Sequence, residues 1–209
     1  MKLHGYFRST ASWRVRIAIE LKGLAVDAVA HHLRRGEQRD PTYLALNPQG
    51  LVPALALDDG GVLTQSLAII SYLDELYPEP GLFPQGSRRR AQVNAFAQVI
   101  ACDIHPLQNL KVLARLRALG LSDDAVNDWA RWVIEDGLSA CAVLIVDEPG
   151  PFCFGSGPTL ADICLVPQLA NARRFGVEIR WPRLLEAEAA CRDLPSFAAS
   201  VPERQEDAE

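Results

Sequence analysis

Residues 3–23 read LHGYFRSTASWRVRIAIELKG, a short apolar run that turns within a few residues into a helical pattern. Leu3–Phe7 suits a first strand, and Ser9 and Ser12 offer the hydroxyl oxygens with which helices begin. From Trp13 to Lys22 the period is helical: Val15, Ala18 and Ile19 share one face, while Arg16 and Glu20 pair at i,i+4 on the face expected to meet solvent. Gly23 is placed to end the helix. A strand feeding a helix this closely opens an α/β unit.

Working outward, Val26–Leu33 is strand-like and is followed by the polar stretch GEQRDP and a short helical segment, Thr42–Leu46. Pro53–Leu57 and Val62–Thr64 flank Asp58-Asp59-Gly60-Gly61, a sequence suited to a tight hairpin. Ser66–Tyr77 is helical, with Leu67, Ile70 and Leu73 in one stripe and Pro78 and Pro80 to stop it. The order β-α-β-α-β-β-α predicts a parallel first pair and a terminal antiparallel hairpin, given right-handed crossovers. Residues 78–86, PEPGLFPQG, carry the linker signal, so the expected domains are 1–80 and 87–209.

Beyond the linker the pattern is helical throughout. Val93, Phe96, Ala97, Ile100, Ala101 and Ile104 recur at helical spacing, and so do Trp129, Trp132, Val133 and Leu144 after Ser122-Asp123-Asp124. Thr159-x-x-Asp162 resembles a capping box that opens a buried helix, Leu160–Arg174. The acidic end, Pro202–Glu209, is expected to fray.

At 209 residues, with 49% hydrophobic and 22% charged, the chain is long enough for a real core and far from a disordered composition. A net charge of −5 argues against nucleic acid and anionic membranes as partners, and no apolar run approaches a membrane span. The five cysteines are odd in number and form no C-x-x-C pair, which suits reduced thiols in a cytoplasm. The four histidines form no H-E-x-x-H, and adjacent His31 and His32 would face opposite ways on a strand, so metal catalysis is not expected.

Three places could carry chemistry. Residues 8–16 place the hydroxyls of Ser9, Thr10 and Ser12 at the junction of the first strand and helix, where a helix N-terminus presents unpaired amides to an anion; a plain helix cap by Ser9 or Ser12 is the commoner explanation. Asn47-Pro48-Gln49-Gly50-Leu51-Val52-Pro53 leads into a strand through a proline, usually only an edge or turn feature. Gln65 and Ser66 open another helix, able to hold a carboxylate or merely to cap.

Five blocks, in order, resemble one family: YFRSTASWRVRIAIELKG at 6–23, ALNPQGLVPAL at 45–55, QSLAIISYLDELYP at 65–78, DIHPLQNLKVL at 103–113 and PTLADICLVPQLANARRF at 158–175. The chain is similar over nearly its whole length to the zeta class of the glutathione transferase superfamily. The resemblance implies a thioredoxin-like α/β N-terminal domain, an all-α C-terminal domain, a cis Val52–Pro53 bond and glutathione as cofactor. It implies that Ser9, with Thr10 beside it, faces the glutathione sulfur, and that Gln38, Val52, Pro53, Gln65, Ser66, His105 and Asn109 contact glutathione, Val52 through its backbone. His105 stands where some members carry Gln. Ala11 replaces the signature cysteine of the class, so a protein thiol is absent from that position.

Family relatives isomerise cis enone dicarboxylates by reversible thiolate addition, and by resemblance Arg8, Lys111 and Arg174 would meet the substrate's carboxylates. A solvated helix C-terminus is the alternative for Arg174. The resemblance also implies a homodimer, with apolar surface on the fourth helix needing cover. A generalist transferase that consumes glutathione and a non-catalytic interaction module are the competing readings.

Overall fold

The computed structural model describes residues 1–209 and divides into two compact units, Met1–Leu82 with Arg192–Glu209, and Phe83–Cys191. In the first, strands β1 (Lys2–Gly5), β2 (Asp27–Ala30), β3 (Ala54–Ala56) and β4 (Val62–Thr64) form one sheet in the order β2-β1-β3-β4. β1 pairs with β2 in parallel, β1 with β3 and β3 with β4 antiparallel, as the element order requires. Helix α1 (Thr10–Leu21) supplies the crossover between the parallel strands, α2 (Pro41–Leu46) precedes β3, and α3 (Ser66–Leu76) follows β4. Val15, Ile17 and Ala18 of α1 and Ile69, Ile70 and Leu73 of α3 are fully buried, so apolar area drives their docking.

The register decides where function can sit. His4 pairs with Ala54, and Ala54 with Thr64, while Gly5 pairs with Ala30. The exits of β1, β2 and β4 and the approach to β3 therefore lie at one end of the sheet.

Lys22, just beyond α1, is buried with all three ammonium donors used: Asp74 Oδ1 and the carbonyls of Tyr77 and Pro80 each accept at 2.6 Å. Asp74 also accepts the Leu82 amide at 2.8 Å, which ties residues 77–82 to the first unit.

Two expectations are corrected at the C-terminus. The acidic end is docked on the first unit rather than frayed, because Asp207 accepts the Phe7 amide at 2.9 Å and Glu209 pairs with Arg35 and His32, each at 3.0 Å. Arg16 does not pair with Glu20 in solvent. Its guanidinium donates to the carbonyls of Ser200 (3.1 Å) and Phe7 (3.0 Å), and Trp13 Nε1 donates to Ser200 Oγ (3.1 Å). The short helix α9 (Pro195–Ala199) packs on α1, so Arg192–Glu209 belongs with the sheet and not with the helical residues before it.

The second unit contains α4 (Ser87–Gln98), which runs into a π-helical turn at Val99–Ile104, then α5 (Leu110–Ala118), α6 (Asp123–Leu144), α7 (Leu160–Arg174) and most of α8 (Pro182–Arg192). Val93, Phe96, Ala97, Ile100 and Ile104 are fully buried. Gly137 lets α6 approach that turn, since a Cβ there would overlap the Ile104 side chain. Ser122 caps α6 by accepting the Ala125 amide. Trp132 and Leu144 are exceptions to the apolar face read from spacing, at 59% and 48% exposed; Val126, Ala130, Val133, Ile134 and Leu138 form the buried stripe instead. The exposed face of α4 carries Arg88, Arg90, Gln92 and Gln98, so it is not the apolar surface expected there. The Thr159/Asp162 capping box is present, with the helix it opens buried along most of its length.

Candidate active site

Ser9 is the N-cap of α1, extended at φ −71° and ψ 116°, and its Oγ accepts the Ser12 amide at 3.2 Å. The cap is thus real. It occupies a lone pair of the hydroxyl, and the O–H remains able to donate to a second acceptor. The preceding loop is held on three sides: Ser9 N donates to Tyr6 O (3.0 Å), Asp207 accepts Phe7 N, and Arg16 donates to Phe7 O. Thr10 opens α1 and is buried, and half-buried Arg8 adjoins Ser9.

The segment before β3 is a second fixed loop. Val52–Pro53 is cis, as expected. Gly50 has φ +59°, and a Cβ there would lie 3.0 Å from Gln38 O and closer still to the Arg39 guanidinium. This packing brings Gln38 beside the loop, with its Oε1 shielded from solvent and without a donor in the chain.

The third component is the start of α3. Gln65, at φ +69° and ψ 118°, is the one non-glycine residue with left-handed φ, a conformation that costs of order 1 kcal/mol and concentrates at ligand sites. Its side chain donates to Gln49 Oε1 at 3.0 Å, joining helix and loop. The first turn of α3 presents amides without helical partners, and buried Ser66 sits among them, its Oγ accepting from Arg14 Nη1 at 3.4 Å. Arg14 is itself buried, so a guanidinium and a helix N-terminus both favour an anion beside Ser66. Sequence reading missed Arg14; the signal was a charge at i,i+4 from buried Ala18, on the apolar face of α1.

The sheet register thus collects Ser9, Thr10, Gln38, Val52, Pro53, Gln65 and Ser66 at one end of the first unit. Arg8 lies in the first unit too, and His105, Asn109, Lys111 and Arg174 lie in the second. His105 ends the π turn, its amide donating to Ile100 O at 2.9 Å, and Asn109 caps α5 by accepting the Lys111 amide at 3.0 Å. Arg173 and Arg174 end α7, and Arg173 is committed to buried Glu188 through two 2.6 Å bonds.

Three of the five cysteines, Cys141, Cys153 and Cys191, are buried thiols poorly suited to act as nucleophiles. Burial pushes Cys141 up to about 12 and raises Cys153 and Cys191 as well.

The stretch that builds the sheet, residues 3–81, matches the model of the glutathione S-transferase N-terminal domain, so the class of protein is defined by the same elements that assemble the site. The chain is 47% identical to maleylacetoacetate isomerase of Pseudomonas aeruginosa, over 99% of this chain and 98% of that one. It also superposes on a holo maleylpyruvate isomerase described as a bacterial zeta-class glutathione S-transferase, with TM-score 0.96, 41% identity and full coverage of both chains. Maleylacetoacetate isomerase of Anaeromyxobacter dehalogenans, solved with glutathione in its active site, matches with TM-score 0.91 and 42% identity, covering 100% of this chain and 97% of that one. The chain belongs to the zeta class of the glutathione transferases.

Proposed function

We propose that the protein is a glutathione-dependent cis–trans isomerase that converts maleylacetoacetate to fumarylacetoacetate in aromatic amino-acid catabolism, acting as a cytoplasmic homodimer. The observation that carries this reading is the convergence of a capping serine, the loop before β3 and a strained Gln65 at one sheet end, in a chain 47% identical to an isomerase of that substrate.

The residues present fit glutathione. The α3 amides, Ser66 and the Arg14 charge behind it suit the γ-glutamyl carboxylate, while Gln38 offers an amide with an unsatisfied oxygen. Val52 offers backbone groups ahead of the β3 ladder. Glutathione, when bound, supplies the thiolate that adds to the alkene carbon, frees the former double bond to rotate, and departs unchanged. Ser9 donates its hydroxyl proton toward that sulfur, and the α1 N-terminus adds its partial positive charge. Lowering a thiol from about 8.5 to about 6.5 needs roughly 2.7 kcal/mol, within reach of a charge-assisted hydrogen bond and a helix dipole together. Arg8, Lys111 and Arg174 are assigned to the substrate's carboxylates, and His105 and Asn109 to glutathione, on their match to the family's motifs. The arginine fork is suited to carboxylate recognition. Ala11 leaves the position of the class cysteine without a thiol, so this role falls to glutathione alone.

The likeness to a maleylpyruvate isomerase makes maleylpyruvate the second substrate to test. Purified protein with catalytic glutathione and each compound decides between them by kcat/KM. Turnover that leaves glutathione undiminished is the expected result; stoichiometric consumption would identify a conjugating transferase, and glutathione binding without turnover an interaction module.

A further inference from the structure

The carbonyl oxygen of Leu51 accepts two hydrogen bonds from α2 and its C-terminus: Tyr43 Oη donates at 2.5 Å and Asn47 Nδ2 at 2.7 Å. Both donors are buried, at 1% and 2% exposed. Neither is adventitious to the loop. Asn47 Oδ1 accepts the Gln49 amide at 3.1 Å and its backbone carbonyl accepts the Gly50 amide at 2.9 Å, so residues 47–51 wrap around one side chain. The Tyr43 ring lies 4.3 Å from that of His31 and 6.0 Å from that of His4, which confines the phenol. Burial pushes the Tyr43 hydroxyl up to about 12, so it stays a proton donor across the physiological range.

The consequence falls on the next residue. Leu51–Val52 is a trans peptide, and in a trans peptide the N–H points opposite to the C=O. An oxygen pinned toward Tyr43 and Asn47 therefore directs the Val52 N–H away from them. That amide has no hydrogen-bond partner in the chain, and Pro53 beyond it has no N–H. Two donors on one carbonyl also polarise the peptide and strengthen its N–H as a donor.

We infer that Tyr43 and Asn47 are positioning residues for glutathione: by holding the Leu51 carbonyl from behind, they fix the plane of the Leu51–Val52 peptide so that Val52 presents its N–H to the ligand backbone. This rests on the reading of the Val52 backbone as a glutathione contact. Neither side chain touches the ligand in this scheme, so the effect belongs to binding and not to the thiolate chemistry.

The test is isothermal calorimetry of glutathione and of S-hexylglutathione with wild type, Tyr43→Phe and Asn47→Asp. Tyr43→Phe keeps the ring and loses only the donor; Asn47→Asp keeps the acceptor for Gln49 and turns the donor to Leu51 into a second acceptor that repels its carbonyl. Each is expected to weaken both ligands alike, about five- to tenfold for Tyr43→Phe, the size of one lost hydrogen bond, and at least as much for Asn47→Asp. The KM for glutathione should rise in step, while kcat at saturation and the pH profile of the bound thiol stay put. Folded variants that bind both ligands as wild type does, or that lose kcat with affinity intact, overturn the inference. Wild type that binds neither ligand overturns the underlying reading of the site as well, which separates the two failures. Should Tyr43→Phe be too unstable to assay, Asn47→Asp alone decides by the same split.

Discussion

At Ser9 the hydroxyl oxygen accepts the Ser12 amide and its proton remains able to donate, so the cap and the proposed contact to the glutathione sulfur would draw on different parts of one group. Ser9→Ala should therefore do two things at once. Loss of the cap lowers stability by about 1 kcal/mol, and loss of the donor raises the bound thiol's pKa and lowers turnover at neutral pH, with partial recovery at higher pH. Thermal melts and titration of thiolate absorbance in the glutathione complex separate the effects; an unmoved titration would leave Thr10 and the α1 amides as the stabilising groups. The arginines are tested separately. Arg173 is engaged with Glu188, so Arg173→Ala should cost stability and spare the KM for the dicarboxylate. Arg8→Ala and Arg174→Ala should raise that KM about tenfold or more while leaving glutathione affinity close to wild type, the expected loss of a charge-assisted contact. Unchanged substrate KM in both would return them to surface roles.

Among elements, α7 depends on Asp162, a buried carboxylate that accepts Thr159 N and Cys153 N at 2.8 Å and Thr159 Oγ1 at 3.0 Å. Burial raises its pKa, and those hydrogen bonds act in the opposite direction. Asp162→Ala strands three buried donors, so a loss of about 3 kcal/mol is expected by urea denaturation. Strands β1 and β2 are joined by a different device. His4 Nδ1 and His31 Nε2 lie 2.9 Å apart, close enough to share only one proton. Burial lowers the pKa of both, the His31 charge further lowers His4, and Glu37 and Asp40 partly offset the effect at His31. The unfolded state thus binds more protons than the folded one just below the ordinary value of about 6.5. Stability from this pair is complete above that pH and is lost as pH falls through the lowered values. Melting temperature should decline from about pH 6.5 downward more steeply in wild type than in His31→Phe; parallel curves would remove the pair from the acid response.

For the whole molecule, the consequential contact is between the two ends of the sequence. Asp207, Ser200 and Glu209 hold Phe7, Trp13, Arg16 and Arg35, and Phe7 lies two positions before Ser9. Truncation after Val201 keeps α9 but removes Asp207 and Glu209. It should still fold, with stability reduced by about 1–2 kcal/mol and a raised KM for glutathione, because the loop leading to Ser9 loses one anchor. Truncation after Leu194 also removes Phe197, uncovers the α1 surface and should yield little soluble protein. Equal stability of the first truncation and the full chain would show that the docked end contributes nothing to the loop.

Local pattern alone determined the alternation of strands and helices through Tyr77, the parallel pair and the hairpin, the capping box before α7 and the helical character beyond the linker, because periodicity and cap chemistry act over a few residues. Candidate binding residues were legible for the same reason: Ser9, Gln65 and Ser66 lie at helix starts, where unpaired amides follow from helix geometry. Tertiary structure alone decided that these starts share one sheet end, that Gln65 takes φ +69°, and that Arg14 backs Ser66. It also decided that Arg16 turns from Glu20 toward Ser200 and that the acidic end docks instead of fraying. In each case the partner is distant in the chain: Arg14 and Ser66 are 52 positions apart, and Phe7 and Asp207 are 200 apart. A charged side chain at such a position reads as solvated until the fold brings its acceptor within reach and excludes the water that would otherwise bind it.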